Sequence, residues 1–188
     1  MPCDTQFDWN NTGLQFVHDG AGPDIPWTDN TAAANLGHTG DVSGGSFVDV
    51  DNDGDMDLYV NGTGRLWQND GLGVYTDITA SVGVTFTGNE SAVWADYDND
   101  GDMDLWTTHS TSGSFLWQNQ FIPSGTVSFT DMSSASGAAV GGALRGAAWF
   151  DYNADGWTDL VSADADGLGN ELLRNDGAFN FTSIFGSG

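Results

Sequence analysis

The sequence predicts an all-β protein built of propeller-like blades, about three in number, each with four antiparallel strands. Two recurring patterns predict this fold: an acidic stretch, and a short hydrophobic segment that follows it in each repeat. The acidic copies are FVDVDNDGDMDLYV (47–60), VWADYDNDGDMDLWTT (93–108) and WFDYNADGWTDLVSA (149–163). The hydrophobic segments that follow them are RLWQNDG, FLWQN and LLRNDG. The apolar segments are short, alternating and rich in Val, Phe, Trp, Tyr and Thr, which is typical of strands.

Each repeat therefore consists of a strand, an acidic loop, a second strand, the LWQN-like strand, a glycine-containing turn and a final strand. We predict a single domain with a partial blade or lead-in at 1–40 and repeats at 41–88, 89–140 and 141–188. Within the lead-in, FDWNNTGLQFVHDG resembles the end of a repeat such as YTDITASVGVTFTG. Propellers close with about four to eight blades. Two alternatives stay open: a neighbouring chain completes the blade set, or the sequence is a fragment of a longer propeller.

Composition limits the partners and the compartment. The chain is 39% hydrophobic with 8 Trp and 11 Phe, enough for a folded core, and its 27 acidic residues against three basic ones give a net charge of −24. Nucleic acid and anionic membranes are poor partners for such a chain, because both are bound through Lys and Arg. We expect no membrane insertion, since no apolar run approaches the roughly 18 residues of a span. The start of the sequence has neither a basic nor an apolar signal region, so we expect either that a signal was removed before this numbering begins or that the protein is cytosolic. The single cysteine, Cys3, cannot form an internal disulfide.

The aspartates follow the pattern D-x-D-x-D-G-x-x-D, in which side chains at positions 1, 3, 5 and 9 and the carbonyl of position 7 converge while Gly at 6 permits the turn. Oxygen ligands at this spacing favour Ca²⁺ over Mg²⁺. The first two loops supply these predicted ligands: Asp49, Asp51, Asp53, the Asp55 carbonyl and Asp57; then Asp96, Asp98, Asp100, the Asp102 carbonyl and Asp104.

A third loop repeats the pattern with one charge fewer. Its predicted ligands are Asp151, Asn153, Asp155, the Trp157 carbonyl and Asp159. We expect up to three calcium ions, with the third site weakest. An EF-hand is disfavoured, because it needs a bidentate Glu at position 12 and helical flanks, whereas position 12 is Val60, Thr107 or Ser162. A merely solvated acidic turn does not explain three copies with glycine in register.

These residues resemble the FG-GAP/VCBS repeats of integrin α-chain propellers and bacterial secreted proteins. The segment LWQNDGLGVYTDITASVGV (66–84) is most similar to the cartilage acidic protein type, and LQFVHDG (14–20) resembles that group's lead-in to its first loop. The resemblance implies calcium loops between the first two strands of each blade, and an extracellular or cell-surface adhesion or structural role. Together with the incomplete blade set, it suggests head-to-tail self-association, as a ring or a filament, or binding to another surface protein or glycan.

Two other functions were weighed. A calcium-dependent glycan-binding module would use exposed tryptophans for stacking; Trp27, Trp106 and Trp157 are the candidates, although blade packing explains such aromatics more often. We do not expect an enzyme. His18, His38 and His109 are isolated in sequence, no nucleophile or phosphate-loop motif occurs, and metal binding already accounts for the grouped carboxylates.

Overall fold

A computed structural model describes residues 5–8, 14–17, 28–29, 31–37, 42–83, 88–164, 167 and 169–184. Three consecutive four-stranded antiparallel sheets and one three-stranded sheet make up the fold, which confirms the predicted all-β blades of four strands. No helix in this part of the chain is long and apolar enough to cross a membrane.

The N-terminal sheet contains three strands in the order β1-β2-β3. Its strands are β1 (Thr5–Asp8), β2 (Leu14–Val17) and β3 (Thr28–Asp29). Phe16 pairs with Asp29 across β2 and β3. In the first repeat, Trp67 of the LWQN-like strand pairs with Asp77 of the final strand. By this register, the segment predicted as a lead-in corresponds to the third strand of a blade.

Each blade runs in chain order from one edge of its sheet to the other. Blade 1 comprises β4 (Gly45–Val48), β5 (Asp57–Val60), β6 (Arg65–Asn69) and β7 (Tyr75–Asp77). Blade 2 comprises β8 (Asn89–Ala95), β9 (Asp104–His109), β10 (Gly113–Asn119) and β11 (Phe129–Asp131). Blade 3 comprises β12 (Leu144–Phe150), β13 (Asp159–Asp164), β14 (Glu171–Asn175) and β15 (Phe181–Ser183). Blade 2 also carries two helical turns, α1 (Phe121–Ser124) and α2 (Ser133–Ser136).

Blades pack face to face through two hydrophobic clusters. We call the side of a blade that points to the next blade its forward face and the opposite side its rear face. Tyr59 and Leu66 on the forward face of blade 1 pack with Leu105 and Phe129 on the rear face of blade 2. The next contact repeats this arrangement, and Trp106 on the forward face of blade 2 is fully buried there.

The rear face of blade 1 is covered by the segment that precedes it. Ala34 and Leu36 pack on Leu58 and Trp67, and the Ala34 carbonyl accepts a hydrogen bond of 2.9 Å from the N–H of Tyr75. An equivalent hydrogen bond joins blade 1 to blade 2: the Val82 carbonyl accepts from the N–H of Phe129 at 3.2 Å. Residues 31–37 therefore hold the place that the end of one blade holds on the next.

Candidate metal centre

Each acidic loop connects the first and second strands of its blade, and its first aspartate shapes the turn. The carboxylate of Asp49 accepts hydrogen bonds from the N–H groups of Asp53 at 3.1 Å and Gly54 at 3.0 Å. Asp96 does the same in the second loop and Asp151 in the third. The glycine at position 6 has a positive φ in all three loops, 93° at Gly54, and other residues rarely adopt this conformation.

The last aspartate of each loop joins three segments of its blade. Asp57 is fully buried, and its two oxygens accept from the N–H groups of Val50 at 2.9 Å and Asn69 at 2.8 Å. Asp104 and Asp159 repeat these contacts with the corresponding residues of their own blades. Burial raises the pKa of Asp57 to about 6 and that of Asp104 to about 9, since removal from water disfavours the charged form.

Three aspartates converge in each of the first two loops. Ligand oxygens of Asp49, Asp51 and Asp57 lie within 4.8 Å of one another, and the same holds for Asp96, Asp98 and Asp104. Two full charges 4.8 Å apart repel by about 3.5 kcal/mol at an effective dielectric constant of about 20. These clusters therefore favour a divalent cation or a retained proton.

One oxygen in the first cluster has no hydrogen-bond partner among the described residues. Asp51 Oδ1 is buried and accepts no hydrogen bond from the described residues, while Oδ2 of the same carboxylate accepts from the amide of Gln68. A buried carboxylate oxygen without a donor is costly unless a cation satisfies it. The donor set, hard oxygens only, fits the Ca²⁺ predicted from the sequence.

The remaining predicted ligands lie outside the two clusters. Asp53 is exposed, and its Oδ1 accepts from the N–H of Asp55 at 2.9 Å. Asp100 is likewise exposed and accepts from the N–H of Asp102 at 3.0 Å. The Asp102 side chain is buried against α1 and accepts from the N–H of Ile122 at 2.8 Å, and burial raises its pKa to about 6. The ligand roles of Asp53, Asp100 and the carbonyls of Asp55 and Asp102 stay predictions.

The third loop keeps the turn, but Asn153 replaces the second aspartate, so it has only two carboxylates, Asp151 and Asp159, at the positions whose carboxylates converge in the other two loops. The Asn153 amide donates to Asp155 at 2.7 Å, so it holds a neighbouring predicted ligand. Arg174 stands at the strand position of Gln68 and Gln118, and its guanidinium pairs with Asp176 at 2.6 Å. That this calcium site is the weakest of the three stays a prediction.

Two functional side chains were missed in the sequence, although their motif was seen. Gln68 and Gln118 are the third letters of the two LWQN segments. Each donates its amide to the second aspartate of its loop, Gln118 to Asp98 at 2.6 Å. The repeated motif could have indicated these residues, but their contact depends on how two distant strands pair.

Asparagines link one blade to the next beside the loops. Asn119 of blade 2 donates to the Val50 carbonyl of blade 1 at 2.9 Å, and Asn175 of blade 3 donates to the Tyr97 carbonyl of blade 2 at 2.7 Å. In the opposite direction, Asn52 donates to the Gly101 carbonyl at 2.9 Å. The first and second acidic loops are thereby attached to the neighbouring blade as well as to their own strands.

The other residues singled out in the sequence do not form a second centre in the described residues. Trp106 is fully buried between blades, so its ring cannot stack on a sugar. Trp157 is partly exposed and lies against Gly177. His109 ends β9 and packs beside Gly88. Trp27, His18 and His38 lie outside the described residues.

Comparison with known proteins gives two findings. Residues 49–107 match the FG-GAP-like repeat, which supports the predicted repeat family over this part of the chain. The fold resembles that of an Agrocybe aegerita lectin, a protein described as specifically recognising non-reducing terminal N-acetylglucosamine, with a TM-score of 0.56 and 16% sequence identity. The match covers 96% of the present chain and 51% of the lectin chain, so this chain spans about half of the lectin's length. No curated protein matches the chain.

Proposed function

Because the chain carries an FG-GAP-like repeat in an all-β fold, we propose that it is a calcium-binding structural or adhesion protein without catalytic activity. It acts outside the cell or on its surface and assembles with copies of itself, and a filament is the open form of that assembly. The observation that carries the proposal is the pair of aspartate clusters, each with ligand oxygens within 4.8 Å of one another.

Calcium would be held in the first loop by Asp49, Asp51 and Asp57, with Asp53 and the Asp55 carbonyl completing the predicted ligand set. A bound cation would neutralise the repulsion within the cluster. The aspartates do the positioning: Asp49 orders the turn, and Asp57 ties the loop to β5 and to the end of β6. Calcium binding would thus stabilise the blade without a disulfide.

The same contacts argue against catalysis by these carboxylates. Both oxygens of Asp49 and both oxygens of Asp57 accept backbone N–H groups. A general acid or base must exchange a proton with a substrate within hydrogen-bond reach. Groups that are committed to backbone donors are suited to holding the loop in place.

A calorimetric titration with calcium tests the proposal, together with thermal unfolding in calcium and in chelator. We expect calcium to raise the melting temperature. Asp51→Asn and Asp53→Asn should each weaken calcium binding at least about tenfold, because each removes a ligand charge. The matched control Asp55→Asn, in which only the carbonyl is a predicted ligand, should stay within a few-fold of the wild type. Equal losses for Asp53→Asn and Asp55→Asn would contradict the ligand assignment, and identical melting in calcium and chelator would contradict a stabilising role.

Calcium-dependent glycan binding is the second candidate, and the lectin-like fold favours it. Trp157 is its strongest stacking residue, since it is partly exposed and follows directly on the third-loop glycine, Gly156. A glycan array read with calcium and with chelator tests this function, with Trp157→Ala as the variant. A sugar bound by the wild type and lost in the variant supports it; an array without any bound glycan refutes it.

A further inference from the structure

The forward face of blade 3 exposes apolar side chains that the other blades bury. We call this surface the blade 3 face; it comprises the exposed Phe150, Tyr152 and Ile184, the half-buried Val161 and the buried Leu172. Phe150 is 42% exposed, Tyr152 40% and Ile184 36%, and the first two rings contact each other edge to face. We propose that the blade 3 face binds the N-terminal sheet of a second copy of this chain, head to tail.

Strand register shows that these positions are blade contacts elsewhere in the molecule. Val161 pairs with Leu172 as Tyr59 pairs with Leu66 and Trp106 with Leu116. Tyr59 and Leu66 are buried by blade 2, and Trp106 and Leu116 by blade 3. The blade 3 face therefore continues an interface that the chain already forms twice.

The difference in exposure between blade 3 and the other two blades is largest at the residue that follows the first aspartate of each acidic loop. It is Val50 in blade 1, Tyr97 in blade 2 and Tyr152 in blade 3. Val50 and Tyr97 are fully buried, whereas Tyr152 is 40% exposed. The carbonyls of Val50 and Tyr97 accept an asparagine amide from the following blade. The Tyr152 carbonyl occupies the third such position, so the matching partner is a rear face that brings a donor.

The contacts between blades are directional, and this direction indicates which surface of a second copy binds the blade 3 face. Both contacts join a forward face to a rear face, and an asparagine of the later blade donates to a carbonyl of the earlier blade. Two blade 3 faces packed on each other would repeat neither feature. The first sheet in chain order is β1–β3, which has three strands where the blades have four. A second copy that continues the series therefore presents this N-terminal sheet.

The length comparison agrees with a pair of copies. The chain matches 51% of the lectin chain, so two copies together provide about the length of that fold. Net charge opposes the association, because each copy carries −24 before calcium binds. Salt screens such repulsion while it leaves apolar contacts in place. Association through the blade 3 face should therefore strengthen as the salt concentration rises.

The inference rests on the proposed self-assembly and not on calcium binding, and the experiment separates the two. The oligomeric state of the full chain is measured by light scattering over a concentration series, in calcium, at low and high salt. The double variant Phe150→Ser/Tyr152→Ser should raise the dissociation constant at least about tenfold, since buried aromatics dominate interfaces. The control Leu72→Ser, at a side chain 88% exposed on blade 1, should leave it unchanged.

A photo-crosslinking amino acid at position 152 keeps the test valid should the double variant unfold. We expect crosslinks between copies that map to residues 1–30. Crosslinks between two blade 3 faces, or an assembly that the double variant does not weaken, would overturn the inference and leave self-assembly standing. A wild type that is monomeric at every concentration would overturn both, while the calcium titration would still decide metal binding on its own.

Discussion

Replacing Asn175 with alanine tests how strongly one blade is attached to the next. The Asn175 amide donates to the Tyr97 carbonyl of blade 2 at 2.7 Å and to the Thr158 carbonyl at 3.2 Å. Its Oδ1 accepts from the N–H of Gly177 at 3.0 Å. The side chain is almost fully buried, so the variant leaves these groups without water as well as without a partner.

Asn69 provides the matched control, because it stands at the same position in blade 1. It makes the two bonds within its own blade, to the Met56 carbonyl at 3.1 Å and from the N–H of Gly71 at 3.2 Å. No bond from Asn69 to a preceding blade occurs among the described residues. Each buried group left unsatisfied costs about 1–3 kcal/mol. Asn175→Ala leaves three such groups, so we expect it to cost about 3–5 kcal/mol; Asn69 is half-buried and water can partly satisfy its two groups, so we expect about 1–2 kcal/mol for Asn69→Ala.

Urea unfolding monitored by tryptophan fluorescence, at a fixed calcium concentration, measures both variants. For a protein of this size, 1 kcal/mol corresponds to roughly 2–4 °C in melting temperature, so thermal scans should separate the two variants as well. Asn119→Ala, which loses the bond to Val50, should behave like Asn175→Ala. A loss for Asn175→Ala no larger than that for Asn69→Ala would refute the idea that the bonds between blades contribute to stability.

Three further predictions concern pH, a close backbone contact and the third loop. In chelator, the free energy of unfolding should fall as pH rises from about 4 to about 9, because the Asp104 pKa is raised to about 9 and the folded state keeps a proton that the unfolded state releases. For this one group the fall is up to about 1.4 kcal/mol per pH unit. Denaturant midpoints that rise over this pH range would contradict the raised pKa. Gly113→Ala should destabilise the protein by about 1–3 kcal/mol more than Gly83→Ala, measured by urea unfolding. Both glycines have φ near +84°, so the backbone strain is the same in both variants. A Cβ at Gly113 would lie 2.2 Å from the Val140 carbonyl oxygen, whereas a Cβ at Gly83 would meet no described atom within 4 Å. Asn153→Asp should tighten the weakest calcium site about tenfold in a calorimetric titration, and an unchanged isotherm would show that ligand charge does not limit this loop.

The sequence carried the local features of the fold. Spacing within FVDVDNDGDMDLYV was sufficient to predict the turn, the glycine at position 6 and the convergence of Asp49, Asp51 and Asp57, because these depend on residues close in the chain. Hydrophobic alternation then placed the strands.

Contacts between distant residues were not accessible in this way. Gln118 reaches Asp98 across 20 positions, and Asn175 reaches the Tyr97 carbonyl across 78. Trp106 was a candidate for sugar binding, but its burial depends on blade 3 packing over it. Aromatic residues on a forward face and on an open surface have the same sequence pattern, so only the position of the next blade distinguishes them.

The asparagine bonds between blades have a consequence for how the repeats can diverge. Their acceptors are main-chain carbonyls at Val50, Tyr97 and Gly101, and no substitution removes a carbonyl. The side chain at an acceptor position can therefore differ between blades, as Val50 in blade 1 and Tyr97 in blade 2 do, while the bond to the next blade is kept. The side chains on which these bonds depend are the donor amides of Asn52, Asn119 and Asn175.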